Sequence, residues 1–170
     1  MSSSLLEDAF AHHVWATLRL IDACLALSPQ QLETTVPGTY GSILDTLRHC
    51  IASDAWDLFV ATRDRASLFD QDDMDLSELR AAMESHGPAW SRLLAQDLDP
   101  DAVLDEVDED DGYERQIAMG IQLAQALHHG TDHRSQVCTA LTALGVEPPP
   151  IDVLDFGIQA GRVVEITPTS

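Results

Sequence analysis

Three histidines carry the first chemistry in this chain. His129 and His133 stand four residues apart in Ala126-Leu-His-His-Gly-Thr-Asp-His-Arg-Ser-Gln136. In a helix that spacing sends both rings off one face, a turn apart, so their nitrogens can grip one cation. Two ligands rarely hold an ion alone. The third candidate is His49, in Leu44-Asp-Thr-Leu-Arg-His-Cys-Ile51, on a separate predicted helix. Three neutral imidazoles leave a coordination position open for water or substrate, the arrangement of a catalytic zinc site rather than a closed one. Nickel, iron, cobalt and manganese also accept nitrogen ligands. Asp45 and Asp132 are candidates to orient a ring from behind.

The bland alternative is that these rings are surface or capping groups, since histidine is common and intermediate in burial. His128 competes with His129: it pairs with Asp132 at four residues, and turning the helix by about 100° would point it inward instead. His12 and His13 are neighbours on one predicted helix, so one at most faces the interior, and a half-exposed flank position is expected. His86, beside Gly87-Pro88, reads as a loop or kink residue. Cys50 adjoins His49, but all three cysteines read as core residues.

Positioning three distant rings requires helices that pack. Of the 170 residues 45% are hydrophobic, aromatics are few, and alanine and leucine are abundant, which favours one helical domain over residues 1–170. A first helix is predicted from about Ser4, capped by Ser4 with Glu7 three residues on, to about Leu27, with Leu6, Phe10, Val14, Leu18, Ile21 and Leu25 as its apolar stripe. Ser28-Pro29 ends it and starts a short turn. Val36 to Gly41 is a breaker-rich connection. A second helix runs from about Ser42 to Arg65, and a third from Leu76 to Leu98 with a kink at Gly87-Pro88. Between Pro100 and Gln116, Val103, Asp105 and Val107 alternate with other side chains, and Asp111-Gly112 follows. The pattern predicts a short β-hairpin or an extended excursion. The acidic run Asp105 to Asp111 lacks the EF-hand order and reads as a solvated loop. A fourth helix spans Met119 to Leu144, stopped by Gly145, with Gly130 inside it where another helix comes close. A short last helix follows Pro148-Pro-Pro150, from Ile151 to about Ala160. The predicted class is all-α: an antiparallel four-helix bundle with a hairpin excursion and a short C-terminal helix.

Charge and composition exclude several functions. A formal charge of −20 with nine lysines and arginines repels phosphate backbones and anionic lipid surfaces, so no nucleic-acid or membrane partner is expected. The three scattered cysteines suit a reducing compartment, and Met-Ser-Ser-Ser lacks the basic and apolar regions of a signal peptide, so a cytoplasmic location is expected. No GxSxG elbow, Gly-rich phosphate loop or HExxH is present.

The chain resembles the DinB-like family of small helical-bundle proteins, grouped with metal-dependent thiol transferases. The likeness lies in His13-Val-Trp-Ala-Thr-Leu-Arg-Leu-Ile-Asp22, Leu27-Ser-Pro-Gln-Gln-Leu32, Gly41-Ser-Ile-Leu-Asp-Thr-Leu-Arg-His49 with Trp56 after it, and Pro149-Pro-Ile-Asp152. It is sharpest in His129-Gly-Thr-Asp-His-Arg-Ser-Gln136, similar to the family pattern of His, three residues, then His-Arg-Gly-Gln. Ser135 stands where Gly is usual and Asp132 where His is frequent. The resemblance implies metal ligands at His49, His129 and His133, choosing His129 over His128, and a homodimer. It implies a divalent ion that activates a low-molecular-weight thiol toward an electrophile, in a thiol S-transferase or a related isomerase or hydrolase. Arg134 is then a candidate to orient a carboxylate on the thiol, or else a surface ion-pair residue. The alternative function is a non-catalytic metal-binding or stress-associated bundle acting as a dimer or through a partner.

Overall fold

A computed structural model describes residues 5–108 and 112–166. Its elements are α1 (Leu5–Cys24), the single turn α2 (Pro29–Leu32), α3 (Ile43–Thr62), α4 (Leu76–Leu94), the strands β1 (Val103–Asp108) and β2 (Tyr113–Ala118), α5 (Met119–Ala143) and α6 (Val153–Gln159). The protein is mostly helical, with one two-stranded antiparallel sheet. Four long helices pack in a ring: α1 against α4, α4 against α3, α3 against α5, and α5 against α1. None of the described helices is long and apolar enough to cross a membrane.

Local chemistry sets the ends. The Ser42 hydroxyl accepts from the Asp45 amide and starts α3. Arg63, in the left-handed conformation at φ 62°, stops it two residues before the predicted limit at Arg65. Asp75 and Glu78 form a reciprocal capping box at the start of α4. Ser28 and Gln31 do the same for α2, so the first helix ends at Cys24 rather than Leu27. Gly145, at φ 73°, follows α5 as predicted. The predicted cap Ser4 lies outside the described residues. Pro88 does not interrupt α4, which continues to Leu94. Met83, His86 and Trp90, all buried on its inner face, hold both flanks of the proline in the core.

The core is divided along the bundle. One apolar cluster gathers Leu20, Ile21, Leu47, Ile51, Leu79, Met83, Val137 and Leu141. The other gathers Phe10, Leu58, Trp90, Leu93, Met119, Leu123 and Ala126. On each long helix a buried polar residue falls between the two in sequence: His13, Asp54, His86 and Arg134.

The hairpin aligns Val103 with Ala118 and Glu106 with Arg115. It is fastened to α3 where Trp56 Nε1 donates to Glu106 Oε1 at 2.6 Å and where Arg63 donates to the Asp105 carbonyl. Asp105 to Asp108 is therefore strand, not solvated loop, and Glu106 is buried by Trp56 and by its ion pair with Arg115. Asp111, in the predicted turn, lies outside the described residues; Gly112 takes φ 65°.

Candidate metal centre

Helices α3 and α5 lie against each other. His49 from α3 and His129 and His133 from α5 point to one place. Nε2 of His129 lies 3.2 Å from Nε2 of His49 and 3.1 Å from Nε2 of His133. One donor atom from each residue falls within 4.8 Å of the others. Two nitrogens held by one tetrahedral ion at about 2.0–2.1 Å would lie about 3.3 Å apart, so the donor set fits a divalent ion. Without a cation the cluster is frustrated. A neutral ring offers one N–H and one lone pair, so N–H···N bonding cannot satisfy three nitrogens turned toward one point.

The rings are kept neutral, which a ligand must be. Burial lowers the pKa of His129 to about 4, with the His133 and His49 rings adding to the effect and the Asp132 and Asp54 charges opposing it. Burial also lowers His49, with His133 contributing. In His133 burial again dominates, against the Gln136 side chain and Asp132. Tyr40 covers the cluster. Its ring stacks on His49 at 4.0 Å and 8° and meets His133 edge-on at 5.5 Å. The Tyr40 backbone N–H donates to Gln136 Oε1 at 2.8 Å, which ties this cover to α5. His128 is exposed on the outer face of α5.

The two proposed orienting carboxylates do other work. Asp45 accepts from the Ser42 hydroxyl at 2.7 Å, as part of the α3 cap. Asp132 is exposed and acts on His129 and His133 only through its charge.

Three side chains expected at the surface are instead buried in the polar layer. Asp54 accepts from His13 Nε2 at 2.8 Å, from His86 Nδ1 at 2.6 Å and from Trp90 Nε1 at 3.2 Å. Arg134 NH1 donates to His13 Nδ1 at 3.0 Å and to the Thr17 hydroxyl, and NH2 donates to Thr131. An arginine only donates, so His13 Nδ1 accepts and its Nε2–H faces Asp54. Arg134 is thus a core group, 3% exposed, not a thiol-orienting or surface residue. His13 is buried rather than on a half-exposed flank, and His86 is buried within α4 rather than in a loop; both donate to the same carboxylate, Asp54. Burial pushes the Asp54 carboxyl up, but the hydrogen bonds and the N–H dipoles that His13 and His86 turn toward it hold it below the ordinary carboxylate range.

Gly130 is where this layer touches α5. A Cβ there would stand 2.3 Å from His13 Cε1 and 2.8 Å from its Nδ1. Gly130→Ala gains helix propensity of about 1 kcal/mol. It must also displace a fully buried ring and its bonds to Asp54 and Arg134. The expected net loss is about 1–3 kcal/mol, read as a lowered urea midpoint. The cysteines behave as core groups: burial pushes the Cys50 thiol up to about 12, with the Asp54 charge adding to it and Arg134 opposing.

Access to the histidines is open. A cleft of ≈ 250 Å³ is lined by His49, Ser53, Asp57, Glu106, Arg115 and His129 among others. A second, of ≈ 500 Å³, reaches His49 from the side of Tyr40, Asp45 and Arg48. Sequence reasoning missed Tyr40, Asp54 and Asp57. Asp54 carried a signal, since it falls on the three- and four-residue steps of Leu47, Ile51 and Leu58 and so had to be buried.

Comparison with the curated proteins returned no match. The model of the DinB family matches residues 1–163. With His49, His129 and His133 converging between two of its long helices, and with that match running over nearly all of its 170 residues, the chain belongs to the DinB family.

Proposed function

We propose that His49, His129 and His133 are the ligands of a divalent metal ion, zinc or nickel in the first instance, and that the protein is a metal-dependent thiol S-transferase built on a four-helix bundle. The observation that carries the metal is three Nε2-bearing rings crowded together with no arrangement of N–H groups that satisfies them all. The observation that favours an enzyme over a purely structural site is the cleft lined by His49 and His129, through which a small molecule can reach the donors.

When bound, the ion supplies a positive charge that lowers the pKa of a substrate thiol, so that sulfur can form a bond to an electrophilic carbon as the leaving group departs. The chain's own residues set the conditions. Burial keeps the three imidazoles neutral. Tyr40 shields the histidines on one side, stacked on His49. Trp56, Glu106 and Arg115 wall the cleft on the other.

The test is turnover. Purified protein loaded with zinc or nickel is mixed with a panel of low-molecular-weight thiols and the generic electrophile monobromobimane. The expected result is thiol consumption about tenfold or more above the uncatalysed rate for at least one thiol, abolished in His133→Ala. Absence of thiol-dependent turnover across the panel overturns the transferase and leaves the non-catalytic metal-binding reading.

A further inference from the structure

The polar layer leaves one ring nitrogen unused, and that atom faces a cavity away from the metal centre. The cavity, of ≈ 480 Å³, lies between α3, α4 and the 3₁₀ turn Arg65–Ser67. It shares no lining residue with the two clefts at His49. His86 lines it from α4 and is 2% exposed. The Nδ1–H of this ring donates to Asp54 Oδ2 at 2.6 Å, which turns the opposite edge, with Nε2, away from the polar layer. Nε2 has no hydrogen-bond partner among the described residues, yet it is not one of the unpartnered polar atoms that are sealed from solvent. The cavity is where it meets solvent.

Nε2 is an acceptor. The layer already sets one carboxylate, Asp54, against one guanidinium, Arg134. A second buried cation would have no carboxylate of its own, so the ring is neutral, and a neutral imidazole that donates from Nδ1 keeps a lone pair on Nε2. The protein does not fill this position. Thr62, Ser67 and Ser85 bring hydroxyls to the cavity wall, but each donates to a backbone carbonyl: Thr62 to Leu58 at 2.6 Å, Ser67 to Ala55 at 3.2 Å and Ser85 to Ala82 at 2.7 Å. One water would satisfy the lone pair, but a water takes about 30 Å³, and this volume falls in the range of small-molecule sites. Leu58, Ala89 and Leu93 supply apolar wall, and the exposed rim carries one charge of each sign, Asp64 and Arg92.

We infer that this cavity is a binding site for a compact, uncharged hydroxyl compound, a phenol or an alcohol on an apolar body, whose O–H donates to His86 Nε2. A carboxylate is ionised at neutral pH and brings no donor. An ammonium brings donors, but the carboxylate behind the floor is already taken by His13, His86 and Trp90. The opposite signs at the rim favour neither net charge. A neutral O–H donor meets the lone pair and leaves its apolar part against Leu58, Ala89 and Leu93. The site does not rest on the metal-centred reading above.

The reporter is the His86 ring itself. Full-length ¹⁵N-labelled protein, without added metal, is titrated at pH 8 with phenol and, separately, with anisole, the methyl ether that keeps the ring and loses the donor. A phenol titrates at about pH 10, as tyrosine does, so it stays neutral here. Long-range ¹H–¹⁵N correlations follow the two ring nitrogens. A saturable shift of His86 Nε2 with phenol is expected, larger than that of Nδ1. Phenol should bind about threefold to tenfold more tightly than anisole, which is what one neutral hydrogen bond is worth. His86→Asn keeps an N–H for Asp54 in the place of Nδ1 and deletes Nε2. In that variant, followed through the Trp90 indole N–H that shares Asp54, phenol should bind no better than anisole. Ala89→Leu narrows the cavity without touching the hydrogen bonds of the polar layer and should abolish binding of both. No saturable Nε2 shift with phenol, equal affinity for the two compounds, or a preference for phenol that survives in His86→Asn overturns the site. If His86→Asn does not fold, the wild-type comparison of phenol with anisole, together with Ala89→Leu, decides. Loss of metal in the variants of His49, His129 and His133 leaves this result untouched, so the two readings fail separately.

Discussion

Replacing His129 with alanine is expected to remove the metal. Wild-type protein dialysed against buffered zinc should retain about one ion per chain, and His129→Ala and His133→Ala less than about a tenth of that. His128→Ala should match wild type, because His128 is exposed and turned away from the cluster. The size of the effect follows from the geometry. His129 Nε2 is the atom in contact with both others, at 3.2 and 3.1 Å. Its loss leaves two imidazoles, His49 and His133, with ring centroids 4.7 Å apart, and two ligands rarely hold an ion alone. Stability gives a second readout. A ligand at a thousand times its Kd stabilises the native state by about 4 kcal/mol. Zinc should therefore raise the melting temperature of the wild type and leave that of His129→Ala unmoved. The metal-free variant should melt no lower than the metal-free wild type, since truncation relieves three nitrogens crowded together without a cation. Equal zinc retention in all four proteins, measured by elemental analysis, would falsify the site.

Asp54→Ala is expected to be the most destabilising single change in the core. It strips the shared acceptor from His13, His86 and Trp90. It also leaves Arg134, 3% exposed, with no carboxylate behind the His13 ring that it contacts. Breaking a buried charged network from one side costs about 3–5 kcal/mol, or roughly 10 °C in a chain of this size. Asp54→Asn keeps the shape and one acceptor and should cost about half as much. The pH dependence has a definite sign. The folded pKa of Asp54 is depressed, so its stabilisation is complete above the unfolded value of about 3.9 and is lost as pH falls below it toward the folded value. The gap between wild type and Asp54→Asn in urea midpoint should hold from neutral pH to about pH 5 and close in stronger acid. A cost below about 1 kcal/mol for Asp54→Ala would show that the polar layer is not what joins the four helices.

The metal-ligand candidates were legible because both halves of their signal are local. A four-residue His pair fixes a helix face, and His49 needed only another helix alongside. The hairpin was legible from alternation, and the start of α2 and the stop of α5 from Ser28-Pro29 and Gly145. The buried polar layer was not. His13, His86 and Arg134 look like surface residues until Asp54 is set among them, 41 residues from His13 and 32 from His86 in sequence. Burial of a titratable ring depends on a partner, and the partner lies on another helix. Pro88 leaves α4 continuous for a related reason: local propensity counts the missing N–H but not the buried neighbours on either side of it. Asp57 was invisible because its environment is made by a strand, β1, whose own acidic pattern looks solvated.

The hairpin carries a further consequence. The imidazoles stand on α3 and α5, which pack against each other and against the rest of the bundle, whereas Glu106 and Arg115 stand on an excursion pinned to α3 through Trp56 and Arg63. The proposed metal donors and one wall of the cleft beside them thus stand on separate parts of one molecule. Exchanging the ribbon between Pro100 and Met119 would reshape that wall of the cleft while leaving the three imidazoles in place.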